Sequence, residues 1–308
     1  MNRIAQRGCL ALLVAGGLAL PSLPSLTGLT GCSGRDDGPT AKDVAPTPSA
    51  GDLVIQRISA DLAKPDPAAP YWKDVPEAVV TLTAQPMITP RPVATTTDTV
   101  HVKAVTDGKL AAFRIRWRDS EVSQAGRLGE YSDALALEFP IRTDTLPPVM
   151  MGAKDNPVHI FHWRAQYQRD HEEGKPTMQQ LYPNASIDMY PMEFKDQPGK
   201  HEPGREQFSP GLAAGNPQSY EKTGVDEVIA EGYMTSAVMH GSEGDAAHAD
   251  WKDGEWTLVI VRPLAVEGGS VLAAGKPNFI GLAAWQGGQA EVASRKSVTM
   301  AWIPVSVQ

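Results

Sequence analysis

The strongest constraint on the fold is a repeat of two in the apolar residues. Apolar and polar residues alternate on both sides of Asp107-Gly108, a pair that tolerates the positive φ of a tight turn. After that turn, Phe113, Ile115 and Trp117 alternate with arginines. Because successive side chains of a strand point to opposite faces, one face of this segment is expected to be buried and the other solvated. The sequence therefore predicts a β-hairpin here.

Five further segments share this alternation, and no segment of comparable length has a helical period. They cover residues 135–139, 158–163, 256–260, 279–285 and 298–302. Seven or more short strands bounded by turn residues predict an all-β chain, folded as one antiparallel β-sandwich over residues 51–308.

One long span interrupts the strands. From about Gln166 to Asp226 the chain is rich in Pro, Gly, Asp, Lys and Gln. A structureless segment of this length is unusual inside a compact domain and is often functional. We therefore interpret it as a long loop insertion that covers a ligand or a partner. A solvated insertion without a role is the alternative.

The N-terminus has the features of an export signal. Arg3 and Arg7 precede an apolar run over residues 9–20, which is too short to span a bilayer as a helix. The Leu-Thr-Gly-Cys sequence that ends at Cys32 resembles a bacterial lipobox, in which the cysteine takes a diacylglycerol. Residues 1–31 are thus predicted to be a lipoprotein signal peptide, with lipidation at Cys32. A signal peptide cut nearby, with Cys32 left as a free thiol, is the alternative.

The residues after the signal peptide are expected to be a flexible tether. Residues 32–50 have Val44 as their only bulky apolar side chain besides the cysteine, so they cannot bury a core. This arrangement predicts a membrane-anchored lipoprotein whose folded domain faces the periplasm.

Composition excludes several classes of function. The chain has 28 Lys and Arg against 36 Asp and Glu, a formal net charge of -8, which argues against nucleic-acid binding. Its two cysteines, Cys9 and Cys32, cannot form a CxxCH haem attachment, an iron–sulfur cluster or a cysteine-rich zinc site. The sequence also lacks a GxSxG elbow, an HExxH helix, a P-loop and a Rossmann fingerprint.

Ordered blocks along the domain carry a family resemblance. They lie at residues 83–85, 100–119, 132–140, 148–152, 156–165, 225–232, 256–264, 279–285 and 295–302. In residues, order and spacing they resemble the haem b-binding γ subunits of periplasmic molybdenum enzymes. That group includes ethylbenzene and dimethyl-sulfide dehydrogenases and selenate and chlorate reductases. The resemblance implies an antiparallel β-sandwich that binds one non-covalent haem b.

The resemblance also implies a methionine and lysine pair of axial ligands for the haem iron. The methionine belongs to a Pro-x-Met-Gly block, which is doubled here as Met150 and Met151. We favour Met151, which directly precedes Gly152, and keep Met150 as the alternative. The lysine belongs to an Arg-Lys-Ser block and corresponds to Lys296. A thioether is a soft neutral ligand, whereas a lysine can ligate only after its pKa has been lowered from about 10.4.

Other residues are candidates for contact with the cofactor. They are His162 and Trp163 beside the haem, and Arg164 and Arg262 as partners of its propionates. His162 could also ligate the iron in a bis-histidine pair with His101 or His240, because histidine is the commonest haem ligand. Packing near the haem, or a hydrogen bond in the core, is the other interpretation of His162.

The resemblance implies a role in electron transfer without catalysis. Two protein ligands leave no open position on the iron, which favours electron transfer over substrate binding. The chain would be the haem subunit of a periplasm-facing, molybdenum-dependent respiratory oxidoreductase. Its partners would be a molybdopterin catalytic subunit, an iron–sulfur subunit and a carrier such as a periplasmic cytochrome c.

Two alternatives of other classes remain at this stage. One is a surface lipoprotein of the same fold that binds carbohydrate or another small ligand without haem, through aromatics such as Trp163, Trp251 and Trp285. The other is a structural assembly subunit that has lost its cofactor.

Overall fold

The computed structural model describes residues 53–184, 224–239 and 243–308, together with Gly211 and Ala214. The predicted signal peptide (1–31), the lipidation site Cys32 and the predicted tether (32–50) lie outside the described residues, as does His240. No helix within the described ranges is long and apolar enough to cross a membrane.

The described residues form fourteen strands and two α-helices. The strands are β1 (Leu53–Arg57), β2 (Ala78–Thr81), β3 (Thr83–Ala84), β4 (Thr99–Thr106), β5 (Leu110–Arg118), β6 (Ala134–Pro140), β7 (Val158–Arg164), β8 (Val225–Ala230), β9 (Ala237–Val238), β10 (Ala246–Lys252), β11 (Glu255–Pro263), β12 (Asn278–Trp285), β13 (Ser297–Val298) and β14 (Ile303–Val307). The helices are α1 (Ala165–Glu172) and α2 (Met178–Leu181), and 3₁₀ turns lie at Pro70–Asp74 and Gly287–Gln289.

The strands form two layers that share β12. The first layer has the order β10-β11-β5-β4-β1-β14-β12, and the second continues as β12-β6-β7-β8-β9. Residues 278–280 of β12 pair with β14, and residues 281–285 pair with β6. The predicted hairpin is confirmed as β4 and β5, with Gly108 at φ 96° in its turn.

The inner faces of the two layers meet in one apolar core. Phe113 of β5 contacts Phe139 of β6, with ring centroids 5.7 Å apart. Trp117 of β5 meets Trp163 of β7 edge to face at 6.0 Å. All four rings are almost completely shielded from solvent, so aligned sheets bury their alternating apolar residues against each other. The predicted all-β sandwich is confirmed.

Two strand predictions need correction. The sandwich is not purely antiparallel, because β1 runs parallel to both of its neighbours, β4 and β14. The last strand is not centred on residues 298–302: the chain leaves β13 after Val298 and resumes as β14 at Ile303. Met300 between them is 48% exposed. Alternation alone did not distinguish one strand from two short strands with a bend between them.

The predicted loop insertion starts with helices. Helix α1 occupies the residues directly after β7, and α2 follows within the same span. Side-chain hydrogen bonds fasten α1 to the sandwich: Gln168 accepts from Trp163 Nε1 and donates to the Ala249 carbonyl, and Arg169 donates to the Gln124 carbonyl. These distant partners explain a helix that its polar sequence did not predict. Most of residues 185–223 lie outside the described part.

A buried pair of carboxyl groups lies where the two layers meet. Asp133 accepts hydrogen bonds from the backbone N–H groups of Gly287 (2.8 Å) and Ser123 (2.7 Å) and from Trp256 Nε1 (3.2 Å). Asp119 lies beside it, and burial together with the Asp133 charge raises the pKa of Asp119 to about 7. Asp119 therefore keeps its proton near neutral pH and donates to Asp133.

This pair predicts a specific pH dependence of stability. Asp119 loses its proton near pH 3.8 in the unfolded chain but only near pH 7 in the folded one, so stability is lost as pH rises through that window. Asp119→Asn should remove this loss. The melting temperature of Asp119→Asn minus that of wild type should be at least about 3 °C larger at pH 8 than at pH 5. An equal difference at both pH values would contradict the shared proton.

Candidate functional site

A cavity of about 550 Å³ lies on the outer face of the second layer, opposite the core. Alternate residues of three strands form its floor: Ala134, Ala136 and Glu138 of β6, Ile160, His162 and Arg164 of β7, and Ala283 and Trp285 of β12. Three connecting segments form its walls, at residues 149–151, 233–238 and 291–299. The volume and the apolar floor with a few polar groups are typical of a small-molecule or cofactor site.

Two walls of the cavity bring Met151 and Lys296 together. Lys296 Nζ donates to Met151 Sδ at 4.0 Å, although 145 positions separate the two residues in the chain. The ammonium also lies 4.9 Å from the centroid of the Trp285 ring. The structure thus places the two residues that the resemblance named as ligands in direct contact.

The backbone around Met151 is tightly constrained. Met151 and Gly152 both have left-handed backbones, with φ of 65° and 73°. The Met151 carbonyl accepts from the N–H of Gly232, which ties the turn to the end of β8. A side chain at position 152 would lie 2.9 Å from the carbonyl oxygen of Ala230. The Met151 sulfur therefore lies in a left-handed turn that has no room for a side chain at position 152.

Lys296 reaches the cavity from the segment that leads into β13. Its carbonyl accepts from the N–H of Gln85, which fixes the backbone. Burial lowers the pKa of the Lys296 amine, whereas the neighbouring Glu138 carboxyl raises it. Burial is the larger cause, so the surroundings favour the neutral amine that a metal ligand requires.

These residues fit a haem better than a bare metal ion. The described part of the chain has no group of three or more His, Cys, Asp or Glu side chains that could hold a metal ion. The separation of 4.0 Å between sulfur and nitrogen is close to two metal–ligand bonds end to end, about 2.3 Å and 2.0 Å in zinc sites. A metal held by only two opposed ligands needs a macrocycle to fill its other positions.

Buried polar atoms in the cavity wall point to a missing partner. Glu138 Oε1 and His162 Nε2 are inaccessible to solvent and have no hydrogen-bond partner among the described residues. Leaving such atoms unpaired costs free energy, so native structures rarely tolerate several in one place. A bound group with polar substituents would account for them.

His162 lies in this cavity, but its proposed histidine partner does not. Its ring is 5.1 Å from that of Trp285, and burial, Arg164 and Lys296 lower its pKa well below the ordinary value, so the imidazole is neutral. His101 lies on β4, where it pairs with Glu77 at 3.0 Å, and it does not line the cavity. The structure thus does not support a bis-histidine pair of His162 and His101. His240 lies outside the described residues.

Trp163 and Arg262 do not reach the cavity, which corrects two expectations. Trp163 follows His162 in β7 and therefore points to the opposite face, where it packs edge to face against two core tryptophans, Trp117 and Trp256. Arg262 is buried between the rings of Phe139 and Phe161 and donates to Ser270. The two-residue period of a strand explains the error at Trp163.

The other predicted site residues do reach the cavity. Met150 lines it beside Met151, and Arg164 lines it with its guanidinium 5.0 Å from the centroid of the Tyr167 ring. The three tryptophans considered for carbohydrate binding are separated. Trp285 lies in the cavity, Trp163 in the core, and Trp251 on β10, where it donates to the Asp119 carbonyl. They form no common platform.

Sequence reasoning missed Glu138. Burial raises the pKa of its carboxyl to about 8, against the opposing effects of Lys296 and of the nearby Met151 backbone N–H. A signal was present in the sequence, because Glu138 is the only charged residue of β6, whose other members are all apolar. A lone acid in a strand buried on both faces is costly unless it has a function or a partner.

Fold and site together define a class of protein. It is a β-sandwich whose second layer carries, on its outer face, a cavity in which one methionine and one lysine meet. A family model described as "Ethylbenzene dehydrogenase" matches residues 69–297. The match covers most of the chain, which therefore belongs to the ethylbenzene dehydrogenase family.

Curated relatives agree with this assignment. A protein of Haloferax mediterranei named as a respiratory nitrate reductase heme subunit is 23% identical, over 81% of this chain and 71% of that protein. The chlorate reductase subunit gamma of Ideonella dechloratans is 26% identical, over 81% of each chain. The dimethylsulfide dehydrogenase subunit gamma of Rhodovulum sulfidophilum is 24% identical, over 77% of this chain and 73% of that protein.

Solved structures are similar only at a distance. A carbohydrate-binding protein of Bacteroides uniformis aligns over 83% of this chain and 99% of its own, with 9% identity and a TM-score of 0.44. This likeness is too remote to bear on function.

The crowding at Gly152 gives a testable consequence. Gly152→Ala should destabilise the fold by more than about 1 kcal/mol, because the new Cβ meets backbone atoms in a left-handed position. Gly129→Ala is the matched control, because Gly129 also has a positive φ, of 85°, but nothing within 4 Å of an added Cβ. Urea unfolding of both variants measures the difference. Equal losses in the two variants would show that crowding at the Met151 turn is unimportant.

Proposed function

We propose that the chain is the haem b subunit of a molybdenum-dependent respiratory oxidoreductase and that it carries electrons without catalysing bond chemistry. The observation that carries the proposal is the 4.0 Å approach of Met151 and Lys296 inside a cavity of about 550 Å³. The names of the curated relatives support the same class of complex.

In this proposal Met151 and Lys296 would be the two side chains that hold the haem iron. Haem, when bound, supplies a one-electron iron couple. The Met151 thioether is a soft neutral donor that favours the reduced metal and a high potential. The Lys296 amine binds in its neutral form, which burial already favours. With both side chains bound, the iron would have no open position for oxygen or a substrate.

The rest of the cavity would orient the cofactor. The small residues Ala134 and Ala136 of β6, with Ala283 of β12, provide a flat apolar floor for a planar ring. Arg164 and the neutral His162 supply polar contacts at the same surface, and Arg164 is suited to a propionate. Trp285 packs beside both Lys296 and His162 and keeps this side of the cavity apolar.

The proposed partners follow from the relatives and from charge. The relatives are named as subunits of a chlorate reductase and a dimethylsulfide dehydrogenase. As the family resemblance implies, a molybdopterin catalytic subunit and an iron–sulfur subunit would exchange electrons with the haem. A periplasmic cytochrome c would be the external carrier, and a net charge of -8 would favour docking of a basic one. Lipidation at Cys32 would keep the subunit at the membrane, facing the periplasm.

Absorption spectroscopy tests the ligand pair. Wild-type protein that has been exported and purified in its native host should contain one haem b per chain in a pyridine haemochrome assay. Its reduced spectrum should show a sharp α-band. Lys296→Ala should alter the reduced-minus-oxidised spectrum, because the iron loses one axial ligand. Lys276→Ala, at an exposed lysine, is the control and should leave the spectrum unchanged. A wild-type protein that is colourless and takes up no added haem would refute the proposed function.

Membrane fractionation tests the anchor. Cys32→Ser should release the chain from the membrane fraction into the soluble periplasmic fraction, because the diacylglycerol has no thiol to attach to. Cys9→Ser changes a residue of the predicted signal peptide and should leave the protein in the membrane fraction. Cys32→Ser protein that stays membrane-bound would show that lipid at Cys32 is not the anchor.

A further inference from the structure

Glu138 lies on the floor of the cavity that the two proposed ligands also line. It belongs to β6 and pairs in register with Ile160 of β7 on one side and with Gly281 of β12 on the other. A Cβ at position 281 would lie 3.1 Å from Val149 and 3.6 Å from the Cβ of Glu138. The missing side chain at Gly281 therefore leaves room for Glu138 and for the start of the Met151 turn.

The Glu138 carboxyl interacts with both ligands. It shares the cavity lining with both of them, and it faces the backbone N–H of Met151 and the amine of Lys296. Its Oε1 atom is buried, without a hydrogen-bond partner among the described residues. One side chain is thus linked to the turn that presents the sulfur and to the amine that opposes it.

We propose that Glu138 is a positioning residue that holds the Met151 turn and the Lys296 amine at the spacing required to ligate one iron from both sides. This inference rests on the proposed function, because it concerns the same cavity and the same cofactor. Residues behind metal ligands commonly orient them, and their loss typically lowers metal affinity about 10- to 100-fold.

The backbone of the Met151 turn needs support from its surroundings. A left-handed residue followed by a left-handed glycine is held only if its surroundings compensate for the strain. The Glu138 carboxyl faces the N–H at that point, and an apolar side chain in its place would offer that N–H no polar neighbour. The turn would then relax and carry the Met151 sulfur away from Lys296.

Glu291 provides a matched control. It is a buried glutamate that lines the same cavity. Its carboxyl accepts from the N–H of Gln286 at 2.9 Å rather than from the Met151 turn. Loss of Glu291 should therefore perturb the cavity without releasing either ligand.

The experiment compares Glu138→Gln, Glu138→Leu and Glu291→Ala in the full chain loaded with haem b. Circular dichroism establishes that each variant is folded, and Leu nearly preserves the side-chain volume. Visible and electron paramagnetic resonance spectra report the spin state, and haem titration reports affinity. Glu138→Leu should shift the ferric iron from low to high spin and weaken haem binding about 10-fold. Glu138→Gln keeps an acceptor oxygen and should stay low-spin, as should Glu291→Ala.

The outcomes distinguish failure of the proposed haem binding from failure of the positioning role of Glu138. A wild-type chain that binds no haem refutes the proposed function itself. A low-spin wild type together with a low-spin Glu138→Leu variant of unchanged affinity refutes only the role of Glu138. If Glu291→Ala becomes high-spin to the same extent as Glu138→Leu, the effect is a general disturbance of the cavity, and the positioning role is again refuted.

Discussion

The site depends on the short distance, 4.0 Å, between Lys296 Nζ and Met151 Sδ. Neither residue lies in the middle of a strand. Met151 sits in the turn before β7, and Lys296 lies directly before β13. The second layer brings them together because β6 pairs with β7 on one side and with β12, which carries β13, on the other. The sandwich therefore acts as a rigid frame that holds two connecting segments at a fixed distance.

The unpaired polar groups of the cavity destabilise the folded chain, and ligand binding would offset this loss of stability. Unpaired buried atoms of Glu138 and His162 destabilise the folded chain as it stands. A ligand that satisfies them binds the native state alone and so stabilises it by mass action. The burial that lowers the pKa of Lys296 is likewise unfavourable for a free ammonium and favourable for a ligating amine. Stability and cofactor binding are thus coupled at the same residues.

Much of this arrangement could be predicted from the sequence, and the exceptions have physical reasons. The β4–β5 hairpin followed from Asp107-Gly108 and from strict alternation, because both are local signals. The parallel pairing of β1 and the hydrogen bonds that hold α1 join distant parts of the chain, and no local pattern encodes them. Trp163 was placed at the cofactor although alternation with His162 sends it to the core. Family resemblance supplied Met151 and Lys296, but only the folded register showed that Glu138 lines the same cavity.

The most direct test of the central claim is X-ray absorption at the iron edge of the haem-loaded chain, in wild type, Met151→Leu and Met150→Leu. The account predicts one sulfur neighbour of iron in wild type and in Met150→Leu, and none in Met151→Leu. Sulfur that persists in Met151→Leu, or that is absent from wild type, would contradict ligation by Met151 opposite Lys296.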